Sequence, residues 1–391
     1  MIHTFVVPCL LGLEGLIAGE LRDMEAANVR AENGRVFFEG DFSLLARANI
    51  RSRFAERVQL VIGMFEARSF EELFQGTKAL AWEQWLDRRD AFPVKGYSIN
   101  STLFSVSDCQ SIIKKAVVER LKEKYYPSRG SQNSNNNSAQ RANCSPQVWF
   151  EESGAIHQIQ FAMMKDQALL TLDTSGAGLH KRGYRLQAGG APLKETLAAA
   201  LCNISRLRHY HTLYDPMCGS GTILIEGALL ARNAAPGLKR NFAAELWSQI
   251  PREVWQQERE LAASLAQPAE QFHAMGFDID PKMLELAREN AKRAGVADCI
   301  EFAQADVKGF DFPTERGTLI TNPPYGERLG DEAAAEALIT QMGRRFTPRR
   351  GWSYSVLSSS ETFESSFGRK ADARRKLYNG MMKCNAFMYY K

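Results

Sequence analysis

Long hydrophobic runs, metal-ligand spacings and a strong charge of one sign are all missing from this sequence of 391 residues. No apolar run approaches the roughly 18 residues that a membrane span requires. The apolar stretch at residues 5–16 is interrupted by Pro8, Gly12 and Glu14, and it lacks the basic leader and small-residue cleavage site of a signal peptide. We therefore expect a cytoplasmic protein with no membrane partner.

The seven cysteines include no CxxC pair, and the six histidines show no metal-ligand spacing. An odd number of cysteines suits a reducing compartment better than a disulfide framework, and no metal site is expected. A net charge of +4 does not by itself predict a nucleic-acid partner. Local basic clusters favour one, although a solvated surface explains any single cluster equally well. They lie at 114–124, 180–185, 344–350 and 369–376.

The first 170 residues alternate short strands and helices, which indicates an α/β region. Ser69 and Glu72 have the spacing of a capping box, and Asp108 is expected to cap a later helix. Residues 127–147 contain almost nothing that could build a core, so a flexible loop is expected there. Strands are expected at 4–7, 35–39, 58–65, 92–100, 147–150, 157–163 and 168–173, and helices at 13–24, 43–48, 69–86 and 108–124.

The rest of the chain alternates strands and helices regularly, which predicts a parallel, doubly wound sheet. Residues 234–266 read as a helical insertion after the first of these strands, and Asn379-Gly380 is a common hairpin turn. The fold class is therefore α/β, with a Rossmann-like C-terminal sheet. Strands are expected at 212–214, 274–277, 299–302, 318–321, 352–358, 375–377 and 383–389, and helices from 222, 281 and 332.

A glycine turn, DPMCGSGT at residues 215–222, joins the first strand of this sheet to a helix. Backbone N–H groups and the helix dipole favour an anionic group at such a turn. Gly219 and Gly221 let a ligand approach the backbone closely, and Thr222 opens the helix. A lone turn of this kind is weak evidence, because ordinary tight turns have the same composition.

Acidic and amide side chains follow the next three strands. Asp278 can accept hydrogen bonds from both hydroxyls of a ribose, and Asp306 from an adenine amino group, although Asp306 alone could be a simple helix cap. Asn322 follows the fourth strand. Open α/β sheets bind ligands at the carboxyl edge where these strands end. A nucleotide-like cofactor is therefore expected at that edge.

The sequence Asn322-Pro323-Pro324-Tyr325 suits amine methylation. The Asn322 carboxamide oxygen and the Pro323 carbonyl can both accept from one NH₂ group, while the prolines stiffen the turn. Tyr325 offers a face for stacking a planar base. This arrangement would steer the nitrogen lone pair toward a methyl group carried by S-adenosylmethionine. The motif alone leaves guanine-N2, adenine-N6 and protein glutamine-N5 open as acceptors, and a plain Asx-type turn is the structural alternative.

Five motifs are spread over residues 172–330 of the chain: 172–176 (LDTSG), 179–185 (LHKRGYR), 191–199 (APLKETLAA), 215–222 (DPMCGSGT) and 322–330 (NPPYGERLG). With these motifs the sequence resembles the bacterial THUMP-containing class I methyltransferases, which include the N-terminal half of the 23S rRNA guanine-N2 methyltransferase RlmL and the stand-alone YpsC type. The resemblance covers nearly the whole chain.

This resemblance implies an RNA-binding region at 1–165, with a THUMP domain at about 43–165, and a class I methyltransferase domain at 166–391. S-adenosylmethionine would be the methyl donor and N2 of a guanosine in 23S rRNA the acceptor. The RNA partner would be large-subunit rRNA or an assembly intermediate. The Asn-rich stretch at 131–140 is longer and more polar than expected inside a THUMP region. An RNA-binding ribosome-assembly factor is the non-enzymatic alternative, and the oligomeric state stays open, a monomer included.

The resemblance also implies roles for individual residues. The methionine and ribose end of the cofactor would contact the glycine turn, and the segment 192–196 would cover it. The target base would be held by Asn322, Pro323, Pro324 and Tyr325. The expected cofactor-binding residues are Asp215, Gly219, Gly221, Thr222 and Thr196, with Asp278 on the ribose hydroxyls, Ile279 on the adenine face and Asp306 on the adenine amino group.

Overall fold

A computed structural model describes residues 1–126, 150–185, 193–208, 210–267, 272–311, 314–324, 332–380 and 382–390. The expected loop at 127–147 lies outside them. These residues form two compact units, each built from several stretches of chain. The first unit contains Met1–Val6, Val58–Gly176 and Phe242–Arg252. The second unit contains Val7–Arg57, Ala177–Asn241 and Glu253–Lys391.

Most helices lie where the sequence predicted them, but the helix expected at 69–86 ends at Ala79, and no helix was predicted at 195–204 or 363–367. The helices are α1 (Glu14–Asp23), α2 (Phe42–Arg51), α3 (Phe70–Ala79), α4 (Val106–Tyr125), α5 (Glu195–Ile204), α6 (Thr222–Ala231), α7 (Arg252–Ser264), α8 (Pro281–Ala294), α9 (Glu332–Arg345) and α10 (Phe363–Phe367).

Most strands lie close to the positions predicted from β-branched and aromatic runs, whereas the strand at 27–32 was not predicted. Residues 147–149 of the strand expected at 147–150 lie outside the described residues, and residue 150 is in no strand. The strands are β1 (His3–Pro8), β2 (Ala27–Glu32), β3 (Arg35–Gly40), β4 (Gln59–Glu66), β5 (Val94–Ile99), β6 (Ile159–Met164), β7 (Gln167–Asp173), β8 (Thr212–Asp215), β9 (His273–Asp278), β10 (Ile300–Gln304), β11 (Gly317–Thr321), β12 (Trp352–Ser358), β13 (Ala373–Asn379) and β14 (Met382–Tyr389).

In the first unit, β4 pairs antiparallel with β1 and β7, β7 pairs antiparallel with β6, and β6 pairs parallel with β5. The capping box is confirmed, because Ser69 Oγ accepts from the Glu72 amide at 3.2 Å and Glu72 Oε2 accepts from the Ser69 amide at 3.1 Å. The expected cap at Asp108 was wrong: α4 begins at Val106, so Asp108 lies in its first turn. In the first turn its negative charge still interacts favourably with the positive end of the helix dipole.

The second unit contains a seven-stranded sheet in the order β10-β9-β8-β11-β12-β14-β13. The first five of these strands are parallel, and β14 runs antiparallel to both of its neighbours. The predicted doubly wound sheet is therefore confirmed. An aromatic cluster packs within this unit, where the rings of Phe346 and Tyr354 stack with centroids 5.8 Å apart. It anchors the strands whose carboxyl ends carry the predicted site.

Residues 234–266 are only partly helical, so the expected helical insertion was wrong for its first half. A single 3₁₀ turn covers Ala243–Leu246, and regular helix begins only at Arg252. Within the first unit, Trp247 is fully buried and stacks on His157 with ring centroids 4.4 Å apart. Aromatic packing, rather than helix propensity, thus determines the path of this stretch.

Candidate active site

A cleft of about 680 Å³ opens in the second unit, above the carboxyl ends of its parallel strands. It brings together most of the residues predicted from the sequence. Gly221, Pro323 and Thr196 do not line it, and Tyr325 lies outside the described residues. The predicted residues that line the cleft are Asp215, Gly219, Thr222, Asp278, Ile279, Asp306, Asn322 and Pro324.

The turn between β8 and α6 requires glycine at two positions. Gly219 and Gly221 have φ angles of +51° and +79°, in the left-handed region that side chains disfavour. Gly221 is also the N-cap of α6, and a Cβ atom there would lie 3.2 Å from the Cβ of Ala287. The two glycines therefore allow the tight turn that brings Gly219 to the wall of the cleft.

Asp278 is held by the turn it faces. Its Oδ2 accepts from the Gly219 amide at 2.9 Å, and its Oδ1 accepts from the Asp280 amide at 3.0 Å. Each carboxylate oxygen has a second lone pair, so the side chain can still accept hydrogen bonds from a diol. Ile279 beside it is 66% exposed, an apolar surface next to two hydrogen-bond acceptors. This combination suits a ribose followed by a flat base.

Asp306 caps a short turn and also lines the cleft. Its Oδ1 accepts from the Lys308 amide at 2.9 Å and so caps the 3₁₀ turn Val307–Gly309. The same side chain lines the cleft. A cap fixes the direction of a carboxylate without using all of its lone pairs. Asp306 can therefore accept from an amino group at the far end of a ligand.

Asp215 is a buried acid at the end of β8. Its Oδ1 accepts from the Thr321 hydroxyl at 2.7 Å and from the Met217 amide at 3.2 Å. Burial raises the pKa of Asp215 to about 7, the nearby charge of Asp278 adds to this rise, and the two hydrogen bonds oppose it. A cationic ligand would lower the free-energy cost of ionising this buried carboxyl, because a positive charge nearby stabilises the carboxylate.

Asn322 follows β11 and presents an unpaired acceptor. Its Oδ1 atom is buried and has no hydrogen-bond partner among the described residues, although the side chain lines the cleft. Leaving a buried acceptor unsatisfied costs about 1–3 kcal/mol, so such atoms mark places where a ligand supplies the donor. Pro323 is buried behind it, and Pro324 forms part of the wall.

Thr196 lies at the start of α5 and is fully buried. Its hydroxyl donates to Glu56 Oε1 at 2.8 Å, while Lys194 Nζ donates to Glu56 Oε2 at 2.9 Å and His180 Nδ1 lies 3.2 Å from the same oxygen. Burial tends to raise the pKa of Glu56, but the close approach of His180 and the hydrogen bonds from Lys194 and Thr196 outweigh burial and lower that pKa to about 2. Thr196 therefore fixes the segment that precedes α5. Pro192 lies outside the described residues.

The basic cluster at 180–185, for which the sequence left both a nucleic-acid contact and a solvated surface open, is partly internal. Arg182 is buried, donates to the carbonyls of Leu179 and Arg53, and lies 3.5 Å from Glu226. Arg185 lines the cleft and was not predicted as a site residue. Its one sequence signal was its place in the motif at 179–185, which carries part of the family resemblance.

The cluster at 114–124 lies on α4 in the first unit and is largely paired. Lys114 Nζ lies 2.5 Å from Glu152, and Arg120 binds Glu83 through two hydrogen bonds. Among the described residues, no group of three or more His, Cys, Asp or Glu side chains is arranged to hold a metal ion. None of the helices in this part of the chain is long and apolar enough to cross a membrane.

The sheet order, the glycine turn and the acid after β9 define a class I methyltransferase that uses S-adenosylmethionine. The cleft fits that cofactor, because it is lined by two acids that can bind an ammonium group and a ribose, Asp215 and Asp278, and by the exposed apolar side chain of Ile279. Two solved methylase structures are similar in fold and sequence over the full length of this chain. A methylase structure from Listeria monocytogenes, described as a "predicted N6-adenine-specific DNA methylase", is 43% identical with a TM-score of 0.89, covering 100% of this chain and 96% of that one. SMU.472, a methyltransferase solved with S-adenosylhomocysteine, is 38% identical with a TM-score of 0.89, covering 100% and 98%.

Residues 182–387 match the family UPF0020, described as an RMKL-like methyltransferase domain, and the chain belongs to this family. Residues 4–59 match the RlmL ferredoxin-like domain and residues 67–129 the THUMP domain. The "Putative RNA methyltransferase YpsC" of Bacillus subtilis is 43% identical over 391 residues, covering 99% of this chain and 96% of that protein. The resemblance drawn from the sequence motifs is thereby confirmed.

The ribosomal RNA large subunit methyltransferase K/L of Psychromonas ingrahamii is 35% identical over 388 residues, covering 97% of this chain and 49% of that protein. The chain thus spans about half the length of the K/L relatives it matches. Taken together, the family, the relatives and the cleft identify an S-adenosylmethionine-dependent RNA methyltransferase of the RlmKL/YpsC type.

Proposed function

We propose that this enzyme methylates N2 of a guanosine in 23S rRNA. The observation that carries the proposal is the Oδ1 of Asn322, which is buried, lies in a side chain that lines the cofactor cleft, and has no hydrogen-bond partner in the part of the chain that the structure describes. An exocyclic amine supplies the donor that this atom lacks. The choice of large-subunit rRNA is supported by the K/L relatives and by the match to the RlmL ferredoxin-like domain. The choice of guanine rests on the resemblance of the motifs at 179–185 and 322–330 to those of guanine-N2 methyltransferases.

The cofactor would lie along the carboxyl ends of β8, β9 and β10. S-adenosylmethionine, when bound, supplies a methyl group on a positively charged sulfur. Asp215 would bind its ammonium group, Asp278 would accept from the ribose hydroxyls, and Ile279 would cover the adenine, whose amino group Asp306 would bind. Gly219, Gly221 and Thr222 would shape the turn beneath the ligand, and Thr196 would hold the segment before α5 in place.

The target guanine would leave its stack and enter above Asn322, as enzymes that act on bases require. Asn322 Oδ1 and the Pro323 carbonyl would accept from the two N–H groups of the amine, with Pro324 stiffening the turn and Tyr325 stacking on the base. This orients the nitrogen lone pair toward the methyl group. Because the amine is neutral, its activation requires no general base before transfer, and catalysis is mainly positioning.

The N-terminal region at residues 1–165, with its THUMP domain at about 43–165, would bind the rRNA, and the cytoplasmic location expected from the sequence goes with that partner. A deletion of residues 1–165 would not test this cleanly. It would also remove Val7–Arg57 from the second unit, including Glu56, which binds Lys194 and Thr196. Variants of single surface residues in the first unit are the better test of RNA binding.

The variant Asn322→Ala tests the proposal. Turnover on rRNA should fall at least about 100-fold, as expected when a reacting group is mispositioned, while affinity for S-adenosylmethionine stays within about twofold. Asn322→Asp is the matched control, because it keeps an acceptor at the same place and should retain measurable activity.

Mass spectrometry of rRNA nucleosides identifies the acceptor. A strain lacking the protein should lose one N2-methylguanosine, which the wild type restores and Asn322→Ala does not. Loss of N6-methyladenosine instead would contradict the proposed base. Unchanged rRNA together with methylation of a protein glutamine would refute the RNA substrate, and full turnover by Asn322→Ala would refute the role of the asparagine.

A further inference from the structure

Arg185 is a nearly buried cation in the wall of the cofactor cleft. Its side chain is 10% exposed. One terminal nitrogen, Nη2, donates to Thr222 Oγ1 at 2.7 Å and to the Leu193 carbonyl at 3.1 Å. Leu193 and Thr222 line the same cleft, so the guanidinium is fixed by the walls it lies between.

The hydrogen-bonding capacity of this guanidinium is not used up. Its Nε is buried without a hydrogen-bond partner among the described residues. The nearest acid, Glu195, lies 3.6 Å from Nη2, which is longer than a hydrogen bond. Arginine stays charged in proteins, so a buried guanidinium with free donors favours an anionic ligand.

The position of Arg185 identifies that anion. It is bonded to Thr222, the first residue of α6, whereas Asp278 is bonded to Gly219, three residues earlier in the glycine turn. A ribose held by Asp278 directs adenine toward Asp306 and the amino-acid part toward Thr222. Of the described residues that line the cleft, the other cation is Lys308, which lies next to Asp306 at the adenine end.

We propose that Arg185 binds the carboxylate of the methionine part of S-adenosylmethionine. The carboxylate is the one anionic group of this ligand, and a guanidinium binds it with charge-assisted hydrogen bonds. The assignment rests on the proposed binding of the cofactor in this cleft. With Asp215 on the ammonium group, the two side chains would fix both charges of the amino acid and thereby the direction of the sulfonium methyl.

The test compares S-adenosylmethionine with decarboxylated S-adenosylmethionine, which keeps the sulfonium and the ammonium but lacks the carboxylate. Binding to the full-length protein is measured by calorimetry, without RNA and without turnover. Hydrogen bonds to a charged group are worth about 1.5–3 kcal/mol, so the wild type should bind S-adenosylmethionine about 10- to 100-fold more tightly than its analogue.

In Arg185→Gln the affinity for S-adenosylmethionine should fall by the same factor, while the affinity for the analogue stays within about twofold. Arg185→Lys keeps the charge and should recover part of the preference. Lys308→Gln, at the other end of the cleft, should leave the preference unchanged. Thermal unfolding of each ligand-free variant identifies a folding defect separately.

If Arg185→Gln weakens the affinity for both ligands by the same factor, the proposal is overturned, because the arginine would then only hold Thr222 and Leu193 in position. A wild type that binds both ligands equally would overturn it as well. If Arg185→Gln does not fold, the comparison is decided by Arg185→Lys and the wild type. A wild type that binds neither ligand would instead refute the proposed function.

Discussion

The unusual acid Asp215 should make the stability of the ligand-free enzyme fall as the pH rises. In the folded state burial raises its pKa from the ordinary 3.8 to about 7. Between these values the folded protein keeps a proton that the unfolded chain releases, so the free energy of unfolding decreases with pH. One pKa unit corresponds to about 1.4 kcal/mol, and the full difference is therefore on the order of 4 kcal/mol.

The variant Asp215→Asn isolates this effect. It keeps the volume of the side chain and an oxygen that can accept from the Thr321 hydroxyl, but it cannot ionise. Urea unfolding of both proteins is measured at intervals from pH 4 to pH 8. The variant should gain stability relative to the wild type as the pH rises toward 7, with the difference constant above it. Taking this difference cancels other buried acids, such as Glu20 and Glu195, whose pKa values burial also raises.

Ligand binding extends the same test. A bound ammonium group should lower the pKa of Asp215, so that S-adenosylmethionine binding near pH 6 releases a proton from the wild type and none from this residue in Asp215→Asn. Calorimetry in two buffers of different ionisation enthalpy counts the protons. A stability difference between the two proteins that does not change between pH 4 and pH 7 would refute the reasoning.

Further substitutions test other parts of the site. Gly221→Ala should reduce the free energy of unfolding, measured in urea, by about 2–5 kcal/mol, because the positive φ angle and the crowding against Ala287 both oppose the added Cβ. Gly219→Ala should reduce it by only about 1–2 kcal/mol, because its Cβ would lie 3.9 Å from the nearest atom, Met283 Cε. Equal losses would contradict the crowding argument. Asp278→Ala should weaken S-adenosylmethionine binding in calorimetry at least about tenfold, and unchanged affinity would count against the ribose contact. Glu56→Gln should lower stability at pH 7 by about 2–3 kcal/mol, because the depressed pKa of Glu56 stabilises the fold above pH 4.5. That difference should shrink as the pH falls toward 2, and a constant difference would argue against the ion pair.

The sequence predicted the catalytic sheet well because its signals are local. Several parallel strands are followed by residues whose type indicates a turn or a binding role, such as Gly221 after β8 and Asp278 at the end of β9. The helices after these strands begin at Thr222, Pro281 and Glu332, as predicted. The strand β2, Ala27–Glu32, was missed because nearly all of its residues are exposed, so it carries no apolar alternation.

Tertiary packing explains what the sequence did not predict. Arg185 was grouped with surface charges because periodicity reports whether apolar residues are buried, but not whether a charged one is. Trp247 and its neighbours resembled a helix by composition, yet the ring packs on His157 from a stretch without regular helix. The sequence also did not predict that the two units are each built from separate stretches of chain. An apolar pattern indicates that a residue is buried, but not which distant segment packs against it.

That interleaving has a consequence for synthesis. The stretch Val7–Arg57 leaves the ribosome about 120 residues before the next stretch of its own unit. At about 5–20 residues per second this delay is on the order of ten seconds, far longer than a hydrophobic collapse. During it, apolar side chains of α2 such as Leu45 and Ile50, buried in the finished protein, have no partners from the later segments. Part of the core of the second unit therefore stays exposed while the intervening residues are made. We expect chaperones that bind exposed apolar surface to bind the nascent chain at this stage.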